Sequence, residues 1–189
     1  MVLQAARPDR TVLDSTGRTS VGVIMHEDIV RRAFEVFRTD AAAMPVMTLR
    51  GGSAADDNAE VPAFDPVLDE PTDAYLEMYA FSGLVYLDAA SWRHYQPRLI
   101  DYAIRHLESN APGTMAIDGL LWSLRPPDRA PPRLGSLSAE QEAVIVAFLD
   151  VLAFNDHSAH QDLAMQVLEE YWIPDALYRQ RPPEGARPS

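Results

Sequence analysis

Apolar residues recur at helical spacing along most of the chain, and the stripes are separated by stretches rich in Gly, Pro, Asp and Ser. In "HEDIVRRAFEVFR" (26–38), Ile29, Val30, Ala33, Phe34 and Phe37 share one face of a 3.6-residue repeat. Glu27 and Asp28 in the first turn and Arg38 near the end complement the helix dipole. "TDAYLEMYAF" (72–81) predicts a short helix with Tyr75 and Tyr79 one turn apart, ended or bent at Gly83. "TMAIDGLLWSL" (114–124) predicts another, closed by Pro126 and Pro127. "SLSAEQEAVIVAFLDVLAF" (136–154) carries the clearest pattern: Ser138 with Gln141 forms a capping box, and the helix beyond it is apolar nearly all round, which predicts a central position. Ser158 with Gln161 repeats the capping pattern ahead of Leu163, Val167, Leu168 and Tyr171, and Pro174 stops that helix.

"LDAASWRHYQPRL" (87–99) is the densest cluster of aromatic and polar groups. Asp88 is a good N-cap. Pro97 has no amide hydrogen and its ring clashes with the preceding turn, yet it suits the first position of a helix. The expectation is a helix over 89–96, a sharp bend, and a second helix over 97–108 whose buried stripe is Leu99, Ile100, Ala103, Ile104 and Leu107. Trp92 and Tyr95 continue that stripe and should be core. His94, Arg98, Asp101 and Arg105 lie opposite, with His94 facing water.

The remaining segments read as connections. "TVLDSTGRTSVGVI" (11–24) has two short β-branched stretches around a turn, a hairpin signal that needs something to pack on. Residues 43–69 form a long acidic connection with the mobile loop "RGGSAADDNAE" at its centre. "PPDRAPPRLGS" (126–136) is a proline-stiffened loop. Residues 1–10 and the Pro/Arg-rich tail 177–189 are expected to be flexible. The fold class is therefore mainly α: one compact helical bundle of five to seven helices over 11–176, with the small N-terminal hairpin as an optional addition.

Composition narrows the function. The 189 residues are 47% hydrophobic, enough for one domain with a core. The formal charge is −12, which disfavours nucleic acid and anionic membranes and suits a basic protein partner. All 16 basic residues are arginine, as expected of a GC-rich coding bias, and the absence of cysteine excludes disulfides and thiolate chemistry. No apolar leader opens the chain, and "AVIVAFL" (143–149) is too short to span a bilayer, so the expected compartment is the cytoplasm.

Three segments together resemble an uncharacterised bacterial domain-of-unknown-function family. "YLDAASWRHYQPRLIDYAI" (86–104) is similar to its "L-S/T-P-E-A-[FW]-R-[YH]-Y-L-P-A-[YF]-L" stretch. "LGSLSAEQEAVIVAFLDVLA" (134–153) is similar to its "LSPEQ-x-x-A-V-x-x-FL-x-x-LA" stretch, and "DGLLWSLRPP" (118–127) fits between them in the same order. The resemblance covers about residues 72–172. It implies a small, soluble, helical bacterial protein, and no site can be carried over from it.

No catalytic signature stands out: there is no phosphate-cradling loop with Lys, no G-x-S-x-G and no H-E-x-x-H. His157 and His160 in "NDHSAHQDL" are three apart, a spacing that can share a metal on one helix. Ser158 as a cap would make them straddle a helix start instead, so no metal and no cofactor is expected. His94, Arg98, Asp101 and Arg105 could form a polar site, His94 acting as acid or base, or simply a solvated face with an i,i+4 ion pair. Residues 51–92 hold Asp56, Asp57, Glu60, Asp65, Asp69, Glu70 and Asp73 among other acids, with no Arg. Such a block can steer a basic partner or merely confer solubility. The leading expectation is a non-catalytic protein that binds another protein, such as an immunity or accessory protein masking a basic effector with its acidic surface. The alternative is a small-ligand binder or enzyme with a polar pocket between helices.

Overall fold

The computed structural model describes residues 20–109 and 114–179. Within them the regular elements are all helical, with no strand: α1 (Ser20–Val36), α2 (Arg38–Ala42), α3 (Leu49–Asp56), α4 (Asp73–Gly83), α5 (Ala89–Arg105), α6 (Met115–Ser123), α7 (Ala139–Phe154) and α8 (Gln161–Val167), the last continuing into a π-turn over Leu168–Trp172. Residues 20–24, read from the sequence as the second strand of a hairpin, are the first turns of α1. Residues 11–19, the flexible N-terminus 1–10 and positions 180–189 of the tail lie outside the described residues.

α5 is the axis. On one side it packs against α1, α2 and α7; on the other it meets α6, through which α4 and α3 are stacked. Trp92, Tyr95, Leu99 and Ile100 of α5 are buried with Phe37, Phe148, Ile117 and Leu120 from those neighbours. The indole N–H of Trp92 donates to Ser123 Oγ at 3.0 Å, and that hydroxyl donates on to the Leu120 carbonyl at 2.7 Å, so these two buried donors are paired. Asp88 caps α5 as expected, accepting from the amides of Ala90 and Ser91 at 2.9 and 3.0 Å.

The bend expected at Pro97 is not there. α5 runs unbroken from Ala89 to Arg105 with a buried Pro97 inside it. An interior proline costs about 3 kcal/mol. A continuous helix, however, keeps Trp92 and Tyr95 in line with Leu99, Ile100, Ala103 and Ile104, and each large apolar side chain held out of water contributes about 1.5–3 kcal/mol. Packing on both sides of the helix outweighs the local penalty.

Two further readings change. Residues 43–69 are not all irregular, because Leu49–Asp56 is helical, capped by Thr48, whose hydroxyl accepts from Gly51 N at 2.9 Å. Gly51 and Gly52 are buried rather than at a loop tip. A Cβ on Gly52 would lie 2.4 Å from the carbonyl oxygen of Gly83, and one on Gly83 would lie 2.3 Å from that of Leu49. The two glycines let α3 and α4 touch backbone to backbone. The capping box at Ser158 also fails. Asn155 Oδ1 takes the His157 amide at 2.9 Å, the Gln161 side chain turns back to the Asn155 carbonyl at 2.8 Å, and α8 starts only at Gln161.

The box at Ser138 does form. Ser138 Oγ accepts from Gln141 N at 3.2 Å, and Gln141 Oε1 accepts from Ser138 N at 3.0 Å. The Gln141 amide also donates to Asp40 Oδ2 at 2.9 Å, tying the start of α7 to α2. α7 is central, with Val144, Ile145, Phe148, Leu149 and Leu152 buried against its neighbours, but Phe154 at its end is 64% exposed.

Candidate functional site

The seven acidic residues of the proposed steering block do not share a role. Asp69 is only 3% exposed and its carboxylate is fully engaged. Arg50 Nε donates to Oδ1 at 3.0 Å and Nη2 to Oδ2 at 2.7 Å; the Tyr75 hydroxyl donates at 3.1 Å and the Asp65 amide at 2.8 Å. Burial alone would raise this carboxyl's pKa, but the Arg50 guanidinium and the other donors outweigh it and hold the pKa below the ordinary value. Asp65 closes a turn, accepting from the amides of Val67 and Leu68 at 2.9 and 3.0 Å. Asp73 pairs with Arg105 at 2.7 and 2.8 Å, and Asp56 accepts from the Tyr86 hydroxyl at 3.0 Å. Asp57, Glu60 and Glu70 are exposed.

The polar face of α5 divides in two. Asp101 and Arg105 join Asp73 in an ion cluster that fastens α5 to the start of α4. His94 and Arg98 point elsewhere, into a cleft of about 590 Å³ between the end of α1, α2, α5 and the segment 64–71. His94 is half-buried rather than facing water: its ring stands edge-on to Tyr95, with centroids 4.6 Å apart, and its Nδ1 donates to the Asp40 carbonyl at 3.3 Å. Burial lowers its pKa, against the pull of the Asp40 and Ala43 carbonyls, so the neutral imidazole is favoured.

Phe34, Met44 and Phe64 supply apolar surface to this cleft, with Pro45, Pro66 and Pro71 beside them. Arg38 enters at the end of α1, and the Arg98 guanidinium lies over the Phe34 ring at 5.0 Å. Neither arginine ion-pairs with any carboxylate among the described residues. Asp40, behind the wall, is gripped by Arg93 at 2.8 Å as well as by Gln141, so α2 is held from both sides. The volume suits a small organic molecule.

Arg38, Phe34 and Phe64 were not visible as site residues in the sequence. Phe34 reads as part of a buried stripe and Arg38 as a dipole-complementing residue, while Phe64 sits in what reads as a loop. The cleft joins residues up to 64 positions apart, from Phe34 to Arg98, and no local spacing reports that.

His157 and His160 do not converge. His157 is exposed, whereas His160 is buried with Nδ1 3.3 Å from Asp118 Oδ1. No group of three His, Cys, Asp or Glu residues able to hold a metal occurs among the described residues. No helix among them is long and apolar enough to cross a membrane. A second groove, about 630 Å³, runs between α1 and α7 over Ile29, Ala143, Val144 and Ala147. The arginines on its rim are already paired, Arg31 with Asp28 at 3.0 Å and Arg32 with Glu35 at 3.0 Å, so it offers surface without free polar groups to orient a ligand.

Among the described residues, fold and cleft together define a helical domain carrying a ligand-sized cleft of mixed apolar and cationic character. The chain belongs to a family of unknown function, DUF6714, whose family model matches residues 25–176. No curated protein and no solved structure matches it.

Proposed function

We propose that this protein is a non-catalytic binding protein that seats a small organic ligand in the cleft between α2, α5 and residues 64–71. The observation that carries this reading is the convergence of two unpaired arginines, Arg38 and Arg98, and the half-buried His94 on apolar walls from Phe34, Met44 and Phe64. Catalysis is poorly served there. A guanidinium does not give up its proton near neutral pH, and Asp69, the buried carboxylate of the cleft, is engaged by Arg50 instead of orienting His94. The rival reading, an acidic face masking a basic protein, draws support from the net charge of −12. It loses force because Asp69 and Asp73 are engaged within the protein.

Complementation of a deletion strain separates the two. Phe64→Asp, which places a charge on an exposed cleft wall, should abolish complementation with the melting temperature unchanged. The triple change Asp56→Asn, Asp57→Asn, Glu60→Gln should complement like wild type. The opposite pattern would sink the cleft reading and restore the acidic face.

A further inference from the structure

We infer that the ligand of this cleft is an organic anion, a carboxylate carried on an apolar body, with its charge between Arg38 and Arg98 and its apolar part against Phe34, Met44 and Phe64. This rests on the cleft being the ligand seat.

The first argument is the scarcity of free positive charge. Acidic residues outnumber arginines 28 to 16. Among the described residues most arginines are accordingly claimed: Arg50 by Asp69, Arg93 by Asp40, Arg105 by Asp73 and Arg125 by Glu170. Those without a carboxylate within the 4.0 Å of an ion pair are Arg38, Arg98, Arg129 and Arg133, although Arg38 lies in the field of Glu35 one turn before it. Arg133 is buried beside Trp92 and donates to the Leu84 carbonyl, and Arg129 lies in the proline loop. The other two line the same cleft. Both are exposed at this cleft, where an anion would meet two positive charges.

The second argument is preorganisation. The Arg98 guanidinium carbon lies over the Phe34 ring, 5.0 Å from its centroid. A cation–π contact of this kind restrains the side chain without consuming a donor, and a guanidinium's planar fork matches the two oxygens of a carboxylate.

The third is the lack of an internal competitor. Of the two carboxylates on the cleft, Asp69 already accepts from Arg50, Tyr75 and the Asp65 amide. Glu70 is exposed at the lip and has no nitrogen of either arginine within the 4.0 Å of an ion pair. His94, held neutral by burial, adds a polar contact without adding charge. The walls are phenyl, thioether and proline groups, which favour an apolar body over a heavily hydrated polyanion.

The test uses three probes of one shape and different charge: hydrocinnamate, hydrocinnamide and phenylpropylamine. Each is titrated at constant ionic strength into the full chain labelled with nitrogen-15, and the side-chain Nε–Hε signals of Arg38 and Arg98 are followed. Hydrocinnamate should shift both signals and bind at least about tenfold more tightly than the amide, as expected for charge-assisted hydrogen bonds. Arg98→Gln and, separately, Arg38→Gln should remove most of that advantage with unchanged melting temperature, and added salt should shrink it. Equal binding of acid and amide in the cleft would overturn the anion assignment and leave the cleft as a ligand seat. Preferred binding of the amine would overturn it as well, pointing to Glu70 as the charge that is read. If no probe shifts any cleft signal, both the anion assignment and the ligand seat fall.

Discussion

Gly52→Ala tests the backbone-to-backbone contact of α3 with α4. The added methyl would sit 2.4 Å from the Gly83 carbonyl oxygen and 2.9 Å from Gly83 Cα. A carbon and a carbonyl oxygen approach comfortably to about 3.3 Å, so α3 and α4 must part by about 1 Å. The obstacle is backbone, which cannot rotate aside as a side chain would. Parting also stretches the bonds that cross the contact: Ser82 Oγ to Ser53 Oγ at 2.9 Å, and the Arg50 amide to the Tyr75 hydroxyl at 3.1 Å. Overpacking of this kind costs about 1–3 kcal/mol, and each weakened hydrogen bond adds about 1 kcal/mol. Alanine's better helix propensity returns about 1 kcal/mol. The expected net loss is about 3 kcal/mol, which for a domain of this size lowers the melting temperature by about 6–12 °C. Thermal melts followed by circular dichroism measure it. Gly135→Ala is the control, since its Cβ would meet nothing closer than Pro132 Cβ at 3.3 Å, and it should stay within about 0.5 kcal/mol of wild type. If Gly52→Ala melts at or above the wild-type temperature, propensity has won and the close-packing argument is wrong.

Other expectations follow from the same contacts. Ser138→Ala should cost about 1 kcal/mol by removing one half of a formed capping box, and an unchanged denaturant midpoint would show the box to be energetically idle. Asp69→Asn should cost about 3 kcal/mol or more at neutral pH by leaving Arg50 without its counter-charge. The Asp69 carboxyl has a lowered pKa in the fold. Its stabilisation is thus fully present above the unfolded value of about 4 and lost as pH falls through the folded value; acid melts should be steeper for wild type than for Asp69→Asn, and parallel curves would contradict this. His94 is lowered too, so its neutral form favours folding above the unfolded value of about 6.5. Stability should therefore fall modestly as pH drops below that value, and His94→Gln should flatten the decline. Added zinc should leave the melting temperature unmoved, because His157 is exposed while His160 is buried beside Asp118; a rise abolished by His157→Ala would refute that.

Local physics made the helices legible. The stripe Ile29–Phe37, the Asp88 cap and the Ser138–Gln141 box each depend on neighbours within a turn or two, and the sequence by itself determined that the chain is helical and that Trp92 and Tyr95 are core. Tertiary contact decided the rest. Pro97 reads as a break because its penalty is local, while the packing that overrides it comes from α1 and α2 on one side and α6 on the other. The pair Gly51–Gly52 reads as loop because glycine is a poor helix former. The value of Gly52 lies in the approach of Gly83, 31 residues beyond it, which no neighbouring residue announces. Asp69 reads as one more exposed acid until Arg50 and Tyr75 close around it. The cleft is the extreme case: Phe34, Phe64 and Arg98 lie on three separate segments, and only the folded arrangement makes them one surface.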